Sequence, residues 1–129
     1  MATREMITGG PWPERYTFSP AVRVGNLLFI SGTTASDETG AIVGPGDIVA
    51  QARYIYRKLE AILRSAGAGF EHVVETTEYI TTTENYAKTA AVRREVFRAP
   101  FPAATGVIVN GLLREGALIE IRAIAVLPA

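Results

Sequence analysis

The run Ala117-Leu118-Ile119-Glu120-Ile121-Arg122-Ala123-Ile124-Ala125-Val126 constrains this chain more than any other segment. Its β-branched, apolar character predicts a strand, and the strand contains a carboxylate. An ionised Glu buried without a partner costs several kcal/mol, so Glu120 is expected either to be paired or to be held for chemistry. Side chains alternate along a strand, which puts Arg122 on the face of Glu120. Arg122 can therefore neutralise Glu120 as an ion pair, or offer its guanidinium to a carboxylate ligand.

Gly25-Asn26 separates Ala21-Val22-Arg23-Val24 from Leu27-Leu28-Phe29-Ile30-Ser31-Gly32. Glycine accepts the positive φ of a tight hairpin, so two antiparallel strands are predicted there. Residues 4–7 read as an edge strand. Asp47 is placed to cap a helix in which Ile48, Ala52, Ile55, Leu59, Ile62, Leu63 and Ala66 keep three- and four-residue spacing, ending at Gly67. Arg53, Arg57, Lys58, Glu60 and Arg64 fall mostly on its other faces. Residues 73–81 predict the next strand, so that strand, helix and strand form a crossover. A second helix is expected from Thr83 or Glu84, anchored by Tyr86, Ala90 and Phe97 and stopped by Pro100 and Pro102. Strands at 105–109 and 117–126 follow. The sum is one α+β domain, residues 1–129, built as a two-layer sandwich with both helices on one face of a single mixed sheet. The other face carries Val, Ile and Phe and stays uncovered, which predicts an oligomer.

Composition excludes several chemistries. Thirteen basic residues balance thirteen acidic ones, and no basic run or stripe appears, which argues against nucleic acid as a partner. With no cysteine and a single histidine, His72, thiol catalysis and the usual zinc and iron sites are not expected, and a Ser-His-Asp triad has little to work with. His72 itself is read as structural or exposed. Residues 1–7 contain no apolar stretch of signal or membrane type, so a cytoplasmic protein without membrane attachment is expected. Gly44-Pro45-Gly46 precedes Asp47, whose charge opposes anion binding, so that loop is read as a helix entry.

Phe18-Ser19-Pro20-Ala21, Val24-Gly25-Asn26-Leu27-Leu28-Phe29-Ile30-Ser31-Gly32, Gly46-Asp47-Ile48 with Ala50-Gln51, Ala66-Gly67-Ala68, Pro102-Ala103 and Leu118-Ile119-Glu120-Ile121 together resemble the Rid/YjgF reactive-intermediate deaminases. The likeness spans nearly the whole chain. It implies a chorismate-mutase-like fold, a homotrimer around a central barrel, and cofactor-free, metal-free chemistry on a small molecule in clefts between subunits. In that family a cleft carboxylate orients or activates water, a role the resemblance gives to Glu120.

The resemblance also implies departures. Where deaminating members carry an arginine for the substrate carboxylate, this chain has Ala104. Losing such a contact, of about 1.5–3 kcal/mol, would weaken the same ligand roughly ten- to a hundredfold. Phe18 stands where tyrosine is usual, Thr33 where glutamine often follows, and Ala90 where asparagine is often found. The candidate site is thus Glu120 as the catalytic group, with Phe18, Ser31, Gly32, Thr33, Ala90, Ala104, Thr105, Gly106 and Arg122 around the substrate. Arg93 and Arg94 on the second helix are further candidate anchors. Three functions remain open: a hydrolase or deaminase of a reactive imine, enamine or related unsaturated metabolite; a non-enzymatic ligand- or protein-binding trimer; and a ribonuclease or translation inhibitor.

Overall fold

Gly25, at φ +61°, reverses the chain between the first two long sheet partners, and around it the computed structural model, which describes residues 3–128, builds a mixed six-stranded sheet. Met1, Ala2 and Ala129, which the single-domain reading includes, lie outside the described residues. The strands are β1 (Glu5–Ile7), β2 (Ala21–Val24), β3 (Leu27–Thr34), β4 (Val73–Ile80), β5 (Ala103–Ile108) and β6 (Ile119–Val126). Their spatial order is β1-β2-β3-β6-β4-β5. The last strand thus sits between β3 and β4, antiparallel to both, while β4 and β5 run parallel. The expected crossover exists, but β6 fills the gap between the two strands it joins.

Helix α1 (Ile48–Ser65) starts where Asp47 accepts the Ala50 N–H at 3.0 Å. It ends in a Schellman motif: Gly67 lies at φ +76°, its N–H reaches the Arg64 carbonyl, and the Ala68 N–H reaches the Leu63 carbonyl. The apolar face read from sequence packs on the sheet, with Ile55, Leu59 and Leu63 buried against Leu28, Ile30, Ile119 and Ile121. Each such side chain contributes about 1.5–3 kcal/mol by leaving water. Gln51 joins this face, which the spacing did not foretell. It is wholly buried and satisfied, donating to the Gly44 and Gly116 carbonyls and accepting the Leu118 N–H at 2.8 Å.

Helix α2 (Thr89–Val96) is shorter than expected. Asn85 adopts a left-handed φ of 59°, which interrupts any helix begun at Thr83 or Glu84, and a single 3-10 turn (Tyr86–Lys88) intervenes. Thr89 and Val92 are its buried residues, and Phe97 closes the packing just beyond it; Ala90 points to solvent. The helix stops at Val96, because Phe97 is already extended, four residues before Pro100. All six residues of the edge strand β5 are exposed.

Candidate active site

Glu120 projects from the sheet face opposite the helices. Along β6 the odd residues Ile119, Ile121, Ala123 and Ala125 are buried beneath the helix layer, so Glu120, Arg122 and Ile124 face the open side. The expected Glu120–Arg122 ion pair does not form: among the described residues the Lys and Arg salt bridges are Arg53–Glu95, Arg64–Glu60 and Arg93–Glu78. Two residues along one strand stand roughly 6.8 Å apart, and Glu120 leans across to β3 instead. There the register slips between Ile30 and Thr33, and a Cβ placed on Gly32 would come 2.7 Å from Glu120 Oε2. A Cβ there would push the flexible Glu120 carboxylate aside. Partial burial without a compensating hydrogen bond raises the Glu120 pKa above its ordinary 4.5.

Strand register sorts the remaining candidates by face. Thr105 is beside Thr77, which is beside Arg122, so these form one row on the open face next to the Glu120–Tyr79–Val107 row. Ala104 and Gly106 pair with Thr76 and Glu78, whose side chains are buried beneath the helices, and so face the other way. One chain therefore does not bring Ala104 and Glu120 together. Ser31 Oγ donates to the Ser19 carbonyl at 2.6 Å, which fixes it locally, and Thr33 Oγ1 donates to the Thr34 carbonyl. Phe18 is 55% exposed and packs with Trp12 and Tyr16 in an aromatic cluster. His72 Nδ1 accepts the Gly69 N–H at 3.0 Å, a structural use of the unprotonated nitrogen.

Sequence reasoning missed a buried polar cluster on the helix side. Glu78, only 4% exposed, accepts hydrogen bonds from Tyr86 at 2.6 Å, Tyr56 at 3.3 Å and Arg93 Nη1 at 3.4 Å. Arg93 Nη1 also donates to Tyr56 at 2.8 Å and to Thr76 Oγ1 at 3.1 Å, and the guanidinium lies over Phe97. Burial pushes the Tyr86 hydroxyl up to about 12, with the Glu78 hydrogen bond and charge adding to it. Arg93 is thus no solvated helix charge, whereas Arg94 is exposed. Lys58, expected on a polar face, is half-buried, donates to the Thr34 and Ser36 carbonyls, and is lowered to about 8 chiefly by that burial.

A mixed sheet roofed on one side by two helices, with β6 threaded between β3 and β4, defines a two-layer α+β sandwich of chorismate-mutase-like type. The sequence profile described as Endoribonuclease L-PSP matches residues 13–127, and the chain belongs to that family, also called YjgF, Rid or RutC. It is 39% identical over 109 residues to a RutC family protein of Pyrococcus abyssi, covering 84% of each chain. It is 32% identical over 109 residues to the mouse 2-iminobutanoate/2-iminopropanoate deaminase, covering 84% of this chain and 80% of that one. Among solved structures it matches a conserved Rid-family protein of unknown function from Yersinia pestis with a TM-score of 0.86 at 30% identity, over 97% of this chain and 100% of the other. RidA from an Antarctic Psychrobacter matches with a TM-score of 0.84 at 30% identity, over 95% and 99%. No helix among the described residues is long and apolar enough to cross a membrane.

Proposed function

We propose that this protein hydrolyses a small reactive imine, enamine or related unsaturated metabolite in a cleft shared between copies of the chain, assembled as a homotrimer, with Glu120 as general base. The observation that carries the reading is Glu120 itself, a partly buried carboxylate with no hydrogen-bond or ion-pair partner among the described residues and with a raised pKa. A structural carboxylate would be satisfied, as Glu78 is. Glu120 would take a proton from water as the water oxygen attacks the imine carbon; the imine nitrogen gains a proton, and the tetrahedral adduct collapses to a carbonyl compound and ammonia. Ala104 and Glu120 face opposite sides of one sheet, so a cleft using both positions needs two copies. The mouse relative's activity supports the substrate class.

The test is ammonia release from freshly generated 2-iminobutanoate. Glu120→Gln should cut turnover by about 10²–10⁴-fold while oligomeric mass is kept. A folded, fully active Glu120→Gln protein would overturn the role. Ala104, which offers no cation, favours a second reading, a non-enzymatic binding trimer; it predicts ligand binding with no ammonia release from the wild type.

A further inference from the structure

The guanidinium of Arg93 is held by one edge and free at the other. Nη1 alone makes its three hydrogen bonds, to Tyr56, Thr76 and Glu78, while Nε and Nη2 make none. No buried side-chain nitrogen or oxygen among the described residues lacks a hydrogen-bond partner, so these two nitrogens are not fully buried, in a side chain that is 17% exposed. The guanidinium carbon lies 5.1 Å from the centre of the Phe97 ring. A guanidinium anchored through Nη1, with Nε and Nη2 unpartnered, has lost most of the rotamer freedom that binding would otherwise cost.

Arg93 is held over β4, one strand away from the β5 position where the resemblance expects a cation. Thr76, which Arg93 contacts at 3.1 Å, is the register partner of Ala104 on β5, and neighbouring strands stand about 4.8 Å apart. The helix layer stops short of β5, leaving Ala104 and Gly106 exposed. Gly106 also makes room for Tyr86, whose hydroxyl would be 3.0 Å from a Cβ at that position. Ala104 thus leaves its own position open, while the space over Gly106 is taken by Tyr86.

We infer that Arg93 is the substrate-anchoring residue, binding a monoanionic carboxylate through its Nε/Nη2 edge on the helix side of β5. The planar fork matches two coplanar carboxylate oxygens. Glu78, 3.4 Å from the same guanidinium, already offsets part of the positive charge and disfavours a dianion such as phosphate. The inference rests on the proposed imine hydrolysis for the identity of the ligand but not for its measurement.

The experiment titrates 2-oxobutanoate, the hydrolysis product of 2-iminobutanoate, into the intact protein while following arginine Nε–H resonances by NMR. The Arg93 signal is assigned by its loss in Arg93→Lys. It should shift saturably with 2-oxobutanoate and stay in place with the neutral amide or with inorganic phosphate. Affinity should fall about ten- to a hundredfold in Arg93→Lys, which keeps the charge but loses the fork. Should Arg93→Lys fold poorly, the pair Glu78→Gln/Arg93→Gln leaves no buried charge and should show the same loss. No shift in the wild type, an equal shift with phosphate, or unchanged affinity in the folded variants overturns the inference. Binding through Arg93 without imine hydrolysis would sink the proposed activity alone; hydrolysis with unchanged KM in Arg93→Lys would sink the inference alone.

Discussion

Glu78 and Glu120 are both glutamates in central strands, and their surroundings give them opposite energetics. Glu78 faces two tyrosine hydroxyls and a guanidinium, so its charge is compensated where water is excluded. Removing Arg93's charge while keeping bulk, as Arg93→Met, strands that carboxylate and should cost about 3–5 kcal/mol in urea denaturation. Glu120 has no such compensation. Because its folded-state pKa is raised, the folded chain holds a proton that the unfolded chain releases, and stability falls as pH rises from the ordinary value of 4.5 through the raised one. Glu120→Gln escapes this loss, so its melting temperature relative to wild type should climb between pH 4 and pH 7. Wild-type kcat/KM should, in turn, fall on the acid side as Glu120 takes up its proton. Glu120 was legible in the sequence because it breaks an apolar run. Glu78 was not, because Glu75-Thr76-Thr77-Glu78 reads as ordinary polar strand until the helices that supply Tyr56, Tyr86 and Arg93 are docked over it.

At the scale of elements, local chemistry fixed α1 at both ends. Asp47→Ala should lower stability by about 1 kcal/mol through loss of the Ala50 contact. Gly67→Ala should cost a similar amount, since Gly67 sits at φ +76°; chemical denaturation of both variants checks this. The hairpin at Gly25-Asn26 and the buried face of α1 were equally legible, since each follows from residues close in sequence. The start of α2 was not: Tyr86 to Phe97 keep an amphipathic look, and nothing in the sequence marks Asn85 as left-handed.

On the scale of the whole molecule, the uncovered sheet face was expected from sequence, and it exposes Met6, Leu27, Phe29 and Val126 in the structure. At the far end of the sheet, β5 pairs with β4 on one side only and leaves its outer edge free, with Val107 and Ile108 exposed. Such an edge invites pairing with another chain unless it is covered. Light scattering at micromolar concentration should give three times the chain mass; a stable monomer would remove the shared cleft. The strand order was not legible, since it depends on where a distant segment inserts rather than on any local pattern.

The position of β6 sets a schedule for the chain. Its pairs with β3 and β4 join strands separated by the whole of α1, and its buried side chains Ile119, Ile121, Ala123 and Ala125 complete the apolar layer. While the preceding residues are already outside the ribosome, the sheet has a slot at its centre, with two inner strand edges waiting for a partner not yet made. A chain cut after Gly116 should accordingly stay unfolded by circular dichroism and self-associate through those edges. Adding a peptide of residues 117–129 in trans should restore the near-ultraviolet signal. If the shortened chain folded by itself, the slot would have closed by another pairing. The segment that carries Glu120 is thus also the keystone, so a nascent protein acquires its proposed base and its finished architecture in one late step.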